Sequence, residues 1–397
     1  MQQPLEGILV LDLTRALAGP YCTMMLADMG ADVIKIEQAG VGDETRGWGP
    51  PFLEGTKDSA YYAALNRNKK SLTLDLKMPC AKKILAELIA QADVLVENFR
   101  IGTMKKLGFS YEEAKQINSR IIYCSLTGFG STGPYAERGG YDVIVQGMGG
   151  LMSITGDPEG EPMRVGVPIV DITTGMFGAH GILAALYTRE KTGKGQLVET
   201  SLLESQIAWL TNVGSNYLIS GKVPKRIGNM HPNITPYQPY KAKDGYVIVA
   251  VGNEKLWKIF TEVLGIPNLA EDPRFCTNAL RNENRMELNS ILEKIFLQKN
   301  ADEWTEIMLE KGIPSGPINT MDKVFSDPQV LARDMLATVN HPVAGEIKMA
   351  GFPIKFSETP AIIKTHPPLL GEHTEEILQK LGYSLEEIAK MKESNSV

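Results

Sequence analysis

The sequence predicts an α/β protein with a large, doubly wound, Rossmann-like domain built on a parallel sheet, and a smaller α+β domain. First, short apolar runs alternate with helical segments from residue 7 to residue 126, which is typical of buried parallel strands joined by crossover helices. Second, 43% of the 397 residues are hydrophobic, so the chain can bury a large core. Third, the composition becomes polar and proline-bearing after Ser220, which indicates a second domain.

The first element pair is a βαβ unit. A strand is predicted at Gly7–Leu13, a helix from Pro20 to Met29, and a second strand at Ala31–Glu37. This order implies a parallel sheet with a right-handed crossover. The glycines do not follow the G-x-G-x-x-G spacing of dinucleotide-binding loops, so no nicotinamide or flavin cofactor is expected.

Further strands are predicted at 71–76, 93–99, 120–126 and 197–201, with helices at 82–92, 104–107 and 111–118. Ligands bind at the carboxyl ends of the strands in open parallel sheets. The residues at or near those ends would therefore line one crevice, and they include Arg15, Leu17, Lys77, Glu97–Arg100, Lys106 and Thr127–Gly130. We place the large domain at 1–224 and 326–397 and the small domain at 225–325.

Asp171 is the most informative single residue. The apolar run Val165–Val170 precedes it, and a long apolar segment rich in small residues follows it, which places Asp171 where a helix begins. Asp is a preferred helix N-cap, so a purely capping role is one interpretation. A second interpretation is a nucleophile, whose ionised form the helix dipole would favour. Local sequence alone does not separate the two interpretations.

Charge and composition exclude several classes of protein. The net charge is −6 and no long basic run is present, so we expect no nucleic-acid partner. The four cysteines are far apart and form no metal-binding cluster with the histidines, so no metal is expected. The N-terminus lacks a basic and an apolar signal region, and the helix after Asp171 is interpreted as a core helix rather than a membrane span. A cytoplasmic protein without a membrane partner is therefore expected.

Eight motifs occur in one order along nearly the whole chain. They are Leu11–Thr14 with Ala18–Pro20, Gly30–Glu37, Gly42-Asp-x-x-Arg46, Asn66–Asp75, Val96–Phe99, Thr192–Gln196, Gly312–Pro317 and Leu369–Thr374. In this order they resemble the family III CoA-transferases, the group that includes formyl-CoA transferase and carnitine CoA-transferase. Any one of them is weak evidence, whereas the complete series is highly specific.

The resemblance implies an enzyme acting on acyl-CoA and small carboxylate substrates, with no permanently bound cofactor. It also implies a homodimer whose two chains form interlocked rings. The family's catalytic aspartate falls on Asp171, which would attack the thioester and later hold CoA as a thioester itself. The expected CoA-binding residues, some matched to the family and some from the predicted crevice, are Arg15, Leu17, Ala18, Gln38, Leu74, Lys77, Asn98, Phe99, Arg100, Lys106, Arg138 and Tyr141.

The chain departs from formyl-CoA transferase at two positions. Leu17 replaces a glutamine, which argues against formyl or oxalyl specificity. Gln38 replaces an arginine that would meet the CoA phosphates, and Arg15, Arg67 or Arg138 would have to supply that charge. The overall pattern most resembles the branch that transfers CoA between succinyl-CoA and glutarate or other dicarboxylates.

Acceptor recognition is predicted from five residues. Arg46 and His231 are expected to pair with the distal carboxylate of a dicarboxylic acceptor, and Trp48, Gln146 and Asn233 are expected to line the substrate site. The alternative is that Arg46 braces its own loop and that His231 is a surface residue.

Two other functions are considered. An acyl-CoA racemase needs two acid–base groups on opposite faces of the substrate, and the racemase branch carries a histidine where this chain has Tyr141. His180 does not replace that histidine, because nine helical residues place it about 13 Å along the axis from Asp171. The third function is a non-catalytic CoA-binding protein, which the intact Asp171 disfavours.

Overall fold

A computed structural model describes residues 2–397. The large sheet has six parallel strands in the order β3-β2-β1-β4-β5-β6. The strands in chain order are β1 (Leu9–Asp12), β2 (Asp32–Glu37), β3 (Lys69–Thr73), β4 (Val94–Glu97), β5 (Ile122–Thr127), β6 (Leu197–Ser201), β7 (Tyr237–Lys241), β8 (Tyr246–Ala250), β9 (Ser315–Pro317), β10 (Leu336–His341) and β11 (Gly345–Ala350). The first six overlap the predicted strands, with β3 starting two residues and ending three residues earlier than predicted, and their parallel pairing confirms the predicted sheet.

The helices in chain order are α1 (Ala18–Asp28), α2 (Ala60–Ala63), α3 (Pro79–Gln91), α4 (Thr103–Leu107), α5 (Tyr111–Ile117), α6 (Asp142–Met148), α7 (Leu151–Ile154), α8 (Ile169–Thr192), α9 (Leu202–Ala208), α10 (Thr211–Ser220), α11 (Glu254–Val263), α12 (Asn278–Glu283), α13 (Arg285–Phe296), α14 (Ala301–Glu310), α15 (Met321–Ser326), α16 (Pro328–Ala332), α17 (Thr374–Lys380) and α18 (Leu385–Glu393). Two 3-10 helices lie at Glu44–Gly47 and Pro267–Ala270.

The strand order reverses between β1 and β4, which creates a crevice at their carboxyl ends. The loops that follow these two strands meet there. Asn98 clamps the loop after β1, because its Oδ1 accepts from the Arg15 amide at 2.9 Å and its Nδ2 donates to the Arg15 carbonyl at 2.8 Å. The sheet topology therefore places the residues predicted at the strand ends in one region.

Both faces of the sheet are covered. Leu11 of β1 packs in a cluster with Leu85 of α3 and Leu378 of α17. The next residue back, Val10, points to the opposite face and packs with Leu26 of α1 and Ile182 of α8. Alternate residues of one strand thus enter two separate cores, which is the arrangement of a doubly wound sheet.

Helices α1 and α8 pack closely against each other. A Cβ on Gly175 would lie 2.5 Å from the Ala18 carbonyl oxygen and 3.1 Å from the Cys22 nitrogen, so only glycine fits this crossing. Among residues 2–397, one helix, α8, is long and apolar enough to cross a membrane by length and composition alone. Its residues Ala179 and Ile182 nevertheless lie in the core beside the sheet, as predicted for a core helix.

The C-terminal segment returns to this sheet, in agreement with its assignment to the large domain. The Ser71 amide donates to His373 Nδ1 at 3.3 Å, and the Thr73 amide donates to Thr374 Oγ1 at 3.1 Å. Ile377 then joins the core on one sheet face. The antiparallel hairpin β10–β11, which the sequence did not predict, precedes this segment.

Two compact units are present, one formed by residues 2–149, 165–210 and 328–397, the other by 150–164 and 211–327. The second unit has the antiparallel sheet β7-β8-β9 and a core that includes Trp257, Phe260 and Phe296. The predicted boundaries of 225–325 for the small domain were wrong at the first edge and omitted 150–164. Arg226 helps to join 150–164 to this unit, because its guanidinium donates to the carbonyls of Gly160 at 2.7 Å and Asp157 at 3.1 Å.

Candidate active site

The loop after β1 is held by the buried charged side chains of Asp12, Lys35 and Asp43. The Thr14 amide donates to Asp12 Oδ1 at 2.9 Å, and Lys35 Nζ donates to the Thr14 carbonyl at 2.9 Å. Lys35 also pairs with Asp43 at 2.9 Å, and Asp43 accepts from the Ala16 amide at 3.4 Å. Ala16 has a φ of 61°, a conformation that a residue with a side chain adopts only when its surroundings hold it. The loop is therefore rigidly positioned.

Two cavities lie against this loop. The first, which we call the Asp171 cavity, has a volume of about 230 Å³ and includes Asp171 and Thr174 in its wall. The second, the Lys77 cavity, has a volume of about 420 Å³. Arg15, Phe99 and Arg100 line both cavities, so the two volumes share one wall at the point where the strand order reverses.

Asp171 does not cap its helix. Helix α8 begins at Ile169, so Asp171 is the third helical residue and the predicted N-cap role was wrong. The cap comes from a different helix. Asp142 Oδ1 accepts from the Val170 amide at 2.9 Å and from the Asp171 amide at 3.4 Å. The Asp171 carboxylate is left free of the capping role and lines the cavity.

The electrostatic surroundings of Asp171 oppose its ionisation. Burial first, and the negative charge of Asp142 second, raise the pKa of Asp171 to about 7 from 3.8. The helix dipole favours the ionised form by only about 0.3–1 kcal/mol, and burial together with a like charge outweighs it. At neutral pH the carboxyl group is therefore partly protonated and partly ionised, and the ionised form is more basic than an ordinary aspartate.

An aromatic pair lies near this carboxylate. The rings of Trp48 and Tyr61 are 5.3 Å apart in an edge-to-face arrangement, and Trp48 is 45% exposed. Burial, and then the charges of Asp171 and Asp142, raise the pKa of Tyr61 to about 12. This coupling places Tyr61 within electrostatic range of Asp171, and the neutral phenol is the form present at physiological pH. Trp48 was predicted at the substrate site, whereas Tyr61 was not.

The structure brings together all but one of the residues predicted to bind CoA. Eight of them line the Asp171 cavity, namely Arg15, Leu17, Ala18, Asn98, Phe99, Arg100, Arg138 and Tyr141. Three more line the Lys77 cavity, namely Gln38, Leu74 and Lys77. Lys106 lines neither cavity and lies exposed on α4. CoA binding by these side chains stays a prediction.

Arg46 is not available to a substrate. Its Nε and Nη2 donate to both carboxylate oxygens of Glu37 at 2.8 and 2.7 Å, and its Nη1 donates to Asp58 at 2.9 Å. Its Nη2 also donates to the Tyr62 hydroxyl and to the Pro368 carbonyl. The prediction that Arg46 binds an acceptor carboxylate was therefore wrong. The alternative, that Arg46 braces its own loop, agrees with these contacts.

Gln146 supports the site from behind rather than lining it. It is fully buried, its Nε2 donates to Asp142 Oδ2 at 2.5 Å, and its Oε1 accepts from the Val165 amide at 2.9 Å. The prediction that Gln146 contacts substrate was wrong, because these two hydrogen bonds direct its amide at protein groups. Gln146 fixes Asp142, which in turn fixes the start of α8.

His231 and Asn233 belong to the second compact unit. His231 Nδ1 accepts from the Asn233 amide at 3.0 Å, and its ring lies 5.1 Å from that of Tyr237. Burial and the nearby Arg285 lower the pKa of His231, so its neutral form dominates at physiological pH. Acceptor binding by either residue stays a prediction.

Positive charge at the Asp171 cavity comes from three arginines, and Lys35 and Lys77 add positive charge to the Lys77 cavity. Arg15, Arg100 and Arg138 line the Asp171 cavity. Arg67 does not contribute, because its guanidinium donates to both oxygens of Asp28 and to the Ala350 carbonyl. Of the three residues expected to compensate for Gln38, Arg15 and Arg138 therefore remain, and their contact with the CoA phosphates stays a prediction.

Sequence reasoning missed the role of Asp142. Asp142 directly follows Tyr141, the position at which the racemase branch carries a histidine. It lies 29 positions before Asp171, and only the packing of α6 against α8 brings the two together. An aspartate at the start of a short helix gives no local indication of this contact.

The site combines a basic carboxylate, a cavity with cationic walls and a neighbouring aromatic pair. A carboxylate of raised pKa can act as a general base or as a nucleophile towards an activated carbonyl. Cationic walls favour an anionic ligand. An elongated anionic thioester with its reactive carbon at Asp171 fits both features.

Comparison with known proteins identifies the family. A family model described as CoA-transferase family III matches residues 5–374. The succinyl-CoA:glutarate CoA-transferase of Mus musculus is 45% identical over 379 residues, which cover 96% of this chain and 86% of that protein. The succinate–glutarate CoA-transferase of Agrobacterium fabrum is 44% identical over 382 residues, covering 95% and 96%.

A solved structure shows the same architecture. A CaiB/BaiF family protein from Brucella suis is 44% identical, and its structure matches with a TM-score of 0.85 over 96% of this chain and 100% of that one. The chain belongs to CoA-transferase family III.

Proposed function

We propose that this CoA-transferase moves CoA from succinyl-CoA, or a similar acyl-CoA, to a dicarboxylic acid through covalent intermediates on Asp171. The observation that supports this most is the placement of Asp171. It lines a cavity at the strand switch point, and its pKa is raised to about 7. A carboxylate that is both ionised in part and unusually basic at neutral pH suits nucleophilic attack on a thioester.

The first half of the reaction transfers CoA to the enzyme. One Asp171 oxygen attacks the thioester carbonyl, the carbon–sulfur bond breaks, and CoA leaves as a thiolate, giving a mixed anhydride. The thiolate then attacks the Asp171 carbonyl carbon of the anhydride, and the donor acid leaves as a carboxylate. Asp171 now holds CoA as a thioester.

The second half repeats these steps with the acceptor. The acceptor carboxylate attacks the Asp171 thioester, which releases the CoA thiolate and forms a second anhydride. The thiolate attacks the acceptor carbonyl of that anhydride, the new acyl-CoA forms, and Asp171 returns as a carboxylate. Water would hydrolyse each intermediate, so partial burial of Asp171 favours transfer over hydrolysis.

A dicarboxylate acceptor is supported by two observations. The mouse and Agrobacterium relatives carry names that specify succinyl-CoA or succinate together with glutarate. The Asp171 cavity also has Arg15, Arg100 and Arg138 in its walls, and arginine pairs well with carboxylates. With Arg46 committed to Glu37, we propose that one of these three binds the distal carboxylate.

The racemase alternative lacks a second acid–base group. Tyr141 occupies the position of the expected histidine and lines the Asp171 cavity. His180 lines a different cavity, together with Tyr21 and Met176. Transfer is therefore the better supported reaction.

We also propose that the enzyme is a homodimer of two interlocked chains, acts in the cytoplasm, and has no permanent cofactor and no nucleic-acid or membrane partner. The family resemblance supports the dimer. The net charge of −6 supports the absence of a nucleic-acid partner. Sedimentation analysis of the full chain tests the dimer, and a monomer at micromolar concentration would contradict it.

The substrate proposal is tested with the enzyme and a panel of acceptors at fixed succinyl-CoA. Glutarate and other dicarboxylates are expected to show higher kcat/KM than butyrate, acetate or carnitine. Asp171→Ala is expected to abolish transfer while the circular dichroism spectrum is kept. A preference for monocarboxylates would contradict the acceptor class, and turnover by Asp171→Ala would contradict the nucleophile.

A further inference from the structure

We propose that Asp142 is a positioning residue that makes Asp171 a stronger nucleophile, by holding the first turn of α8 and placing a second negative charge beside it. This proposal rests on the proposed role of Asp171. It assigns no bond-making step and no proton transfer to Asp142. Its carboxylate acts only through the position and the basicity of its neighbour.

Asp142 caps the amino end of α8, although it belongs to another helix of the same chain, α6. Asp142 is the first residue of α6 and is 9% exposed. One of its oxygens accepts from two consecutive amides of α8, those of Val170 and Asp171. The Asp142 carboxylate therefore both fixes the backbone at Asp171 and places a negative charge near the Asp171 carboxylate.

The orientation of Asp142 is itself fixed. Gln146 lies one turn further along α6 and donates from Nε2 to the second Asp142 oxygen at 2.5 Å. The other end of the Gln146 amide accepts from the Val165 amide, on the segment that leads into α8. Because Gln146 is fully buried, water cannot substitute for these contacts. Asp142 is therefore held in one rotamer with its charge directed at α8.

This arrangement affects the reaction because the charge of Asp171 changes during it. The free enzyme has two neighbouring carboxylates, whereas the anhydride and the thioester of Asp171 are neutral. Like-charge repulsion destabilises the ionised starting state and is relieved as the oxygen attacks. The second carboxylate thus lowers the barrier for acylation of Asp171, at the cost of a smaller ionised fraction at low pH.

Other charged and titratable groups face the same cavity. From the remaining loops and helices these are Arg15, Glu44, Arg100, Arg138 and Tyr141, and Tyr61 lies within electrostatic range. The arginines favour the ionised form of Asp171 and Glu44 opposes it. Burial and the charge of Asp142 are nevertheless the two causes that raise the pKa of Asp171.

The test uses Asp142→Asn, which keeps an oxygen for the two amides and removes the charge. The full-length protein is labelled with carboxyl-¹³C aspartate and observed by NMR. The Asp171 resonance is the one that disappears in Asp171→Asn, and its chemical shift is followed against pH without substrate. The pKa of Asp171 is expected to fall by about one unit. The acid limb of kcat/KM should shift to lower pH by the same amount. If carboxylates follow a Brønsted slope like that of thiolates, about 0.4–0.5, kcat at pH 8.5 should fall about threefold.

The control is Asp32→Asn, at the amino end of β2, where the carboxylate is 54% exposed and lies away from the carboxyl ends of the strands. This control should leave both the pKa of Asp171 and the acid limb of kcat/KM unchanged.

In Asp142→Asn the introduced amide faces the Gln146 amide as a second donor, which disfavours folding. The double variant with Gln146→Glu restores an acceptor there and moves the charge away from Asp171, so it should show the same direction of change.

Three results decide the proposal. A lowered pKa with a parallel shift of the acid limb supports it. An unchanged pKa in the folded variants overturns the proposal, because Asp142 would then be only a cap. A lowered pKa without a shift of the acid limb also overturns it, because the charge of Asp142 would then not act on the reaction. The ¹³C titration needs no turnover. If the pKa falls in Asp142→Asn but the wild-type enzyme transfers no CoA, the proposed function is contradicted while the effect of Asp142 on the basicity of Asp171 stands.

Discussion

Replacing the central carboxylate should make the protein more stable as well as inactive. In Asp171→Asn the side chain keeps its size but can no longer ionise. The wild-type carboxyl group has a pKa of 3.8 in the unfolded chain and about 7 in the folded one. Ionisation above the unfolded pKa therefore favours the unfolded state. Removing it should stabilise the fold at neutral and alkaline pH.

The size of the effect follows from the two pKa values. Each unit of difference corresponds to 1.36 kcal/mol, so the stabilisation reaches an upper value of about 4 kcal/mol. Below about pH 4 the group is protonated in both states and the gain is absent. Between about pH 4 and pH 7 only the unfolded chain ionises, so the gain rises with pH. Above pH 7 both states ionise and the gain stays level.

The assay is urea unfolding of wild type and Asp171→Asn at a series of pH values and one protein concentration, since any subunit association would add a concentration term. Asp32→Asn serves as the exposed control and should change the free energy of unfolding by less than about 0.5 kcal/mol. A variant no more stable than wild type at pH 8, or a gain independent of pH, would refute the reasoning.

Three further predictions concern residues around the site. Arg46→Met should lower the free energy of unfolding by about 3–5 kcal/mol, because the buried Glu37 carboxylate loses its partner. Asn98→Ala should raise KM for the CoA substrate about tenfold, because two hydrogen bonds to the backbone of Arg15 are lost, each worth about 0.5–1.5 kcal/mol. Gly175→Ala should destabilise the fold by about 1–3 kcal/mol, since the added methyl group would overlap α1. Urea unfolding measures the first and third changes, and steady-state kinetics the second.

Matched variants separate these effects from general damage. Arg274→Met removes an exposed ion pair with Asp272 and should leave stability unchanged. Asn118→Ala removes two comparable hydrogen bonds to Ile89 and Ala92 and should leave KM unchanged. Gly252→Ala adds a methyl group with no atom within 4 Å and should fold normally. A stable Arg46→Met with raised acceptor KM would restore the substrate-binding role of Arg46.

The parallel sheet was predictable because its central strands are buried on both faces and therefore appear as apolar runs, such as Val94–Val96. The hairpin Leu336–Ala350 was missed because it has alternating exposure and polar residues, a weaker pattern. The helices Asp142–Met148 and Leu151–Ile154 were also not predicted from the sequence. Tertiary packing, rather than local propensity, stabilises these two short helices.

The site was predictable where it depends on strand ends and not where it depends on distant side chains. Arg15 and Asn98 were placed correctly, since the topology of a parallel sheet brings the loops after neighbouring strands together. The role of Arg46 was misjudged because the sequence does not show that its guanidinium is paired with both carboxylate oxygens of Glu37. The cap of α8 was misassigned for the same reason, since Asp142 reaches it only through the packing of α6.

The covalent role of Asp171 can be measured directly. The enzyme is incubated with succinyl-CoA and hydroxylamine, digested, and analysed by mass spectrometry. Hydroxylamine captures an anhydride or thioester as a hydroxamate, so the peptide containing Asp171 should carry this modification at that side chain. The modification should be absent in Asp171→Asn and without succinyl-CoA. An unmodified Asp171 peptide from enzyme that is turning over would contradict the account.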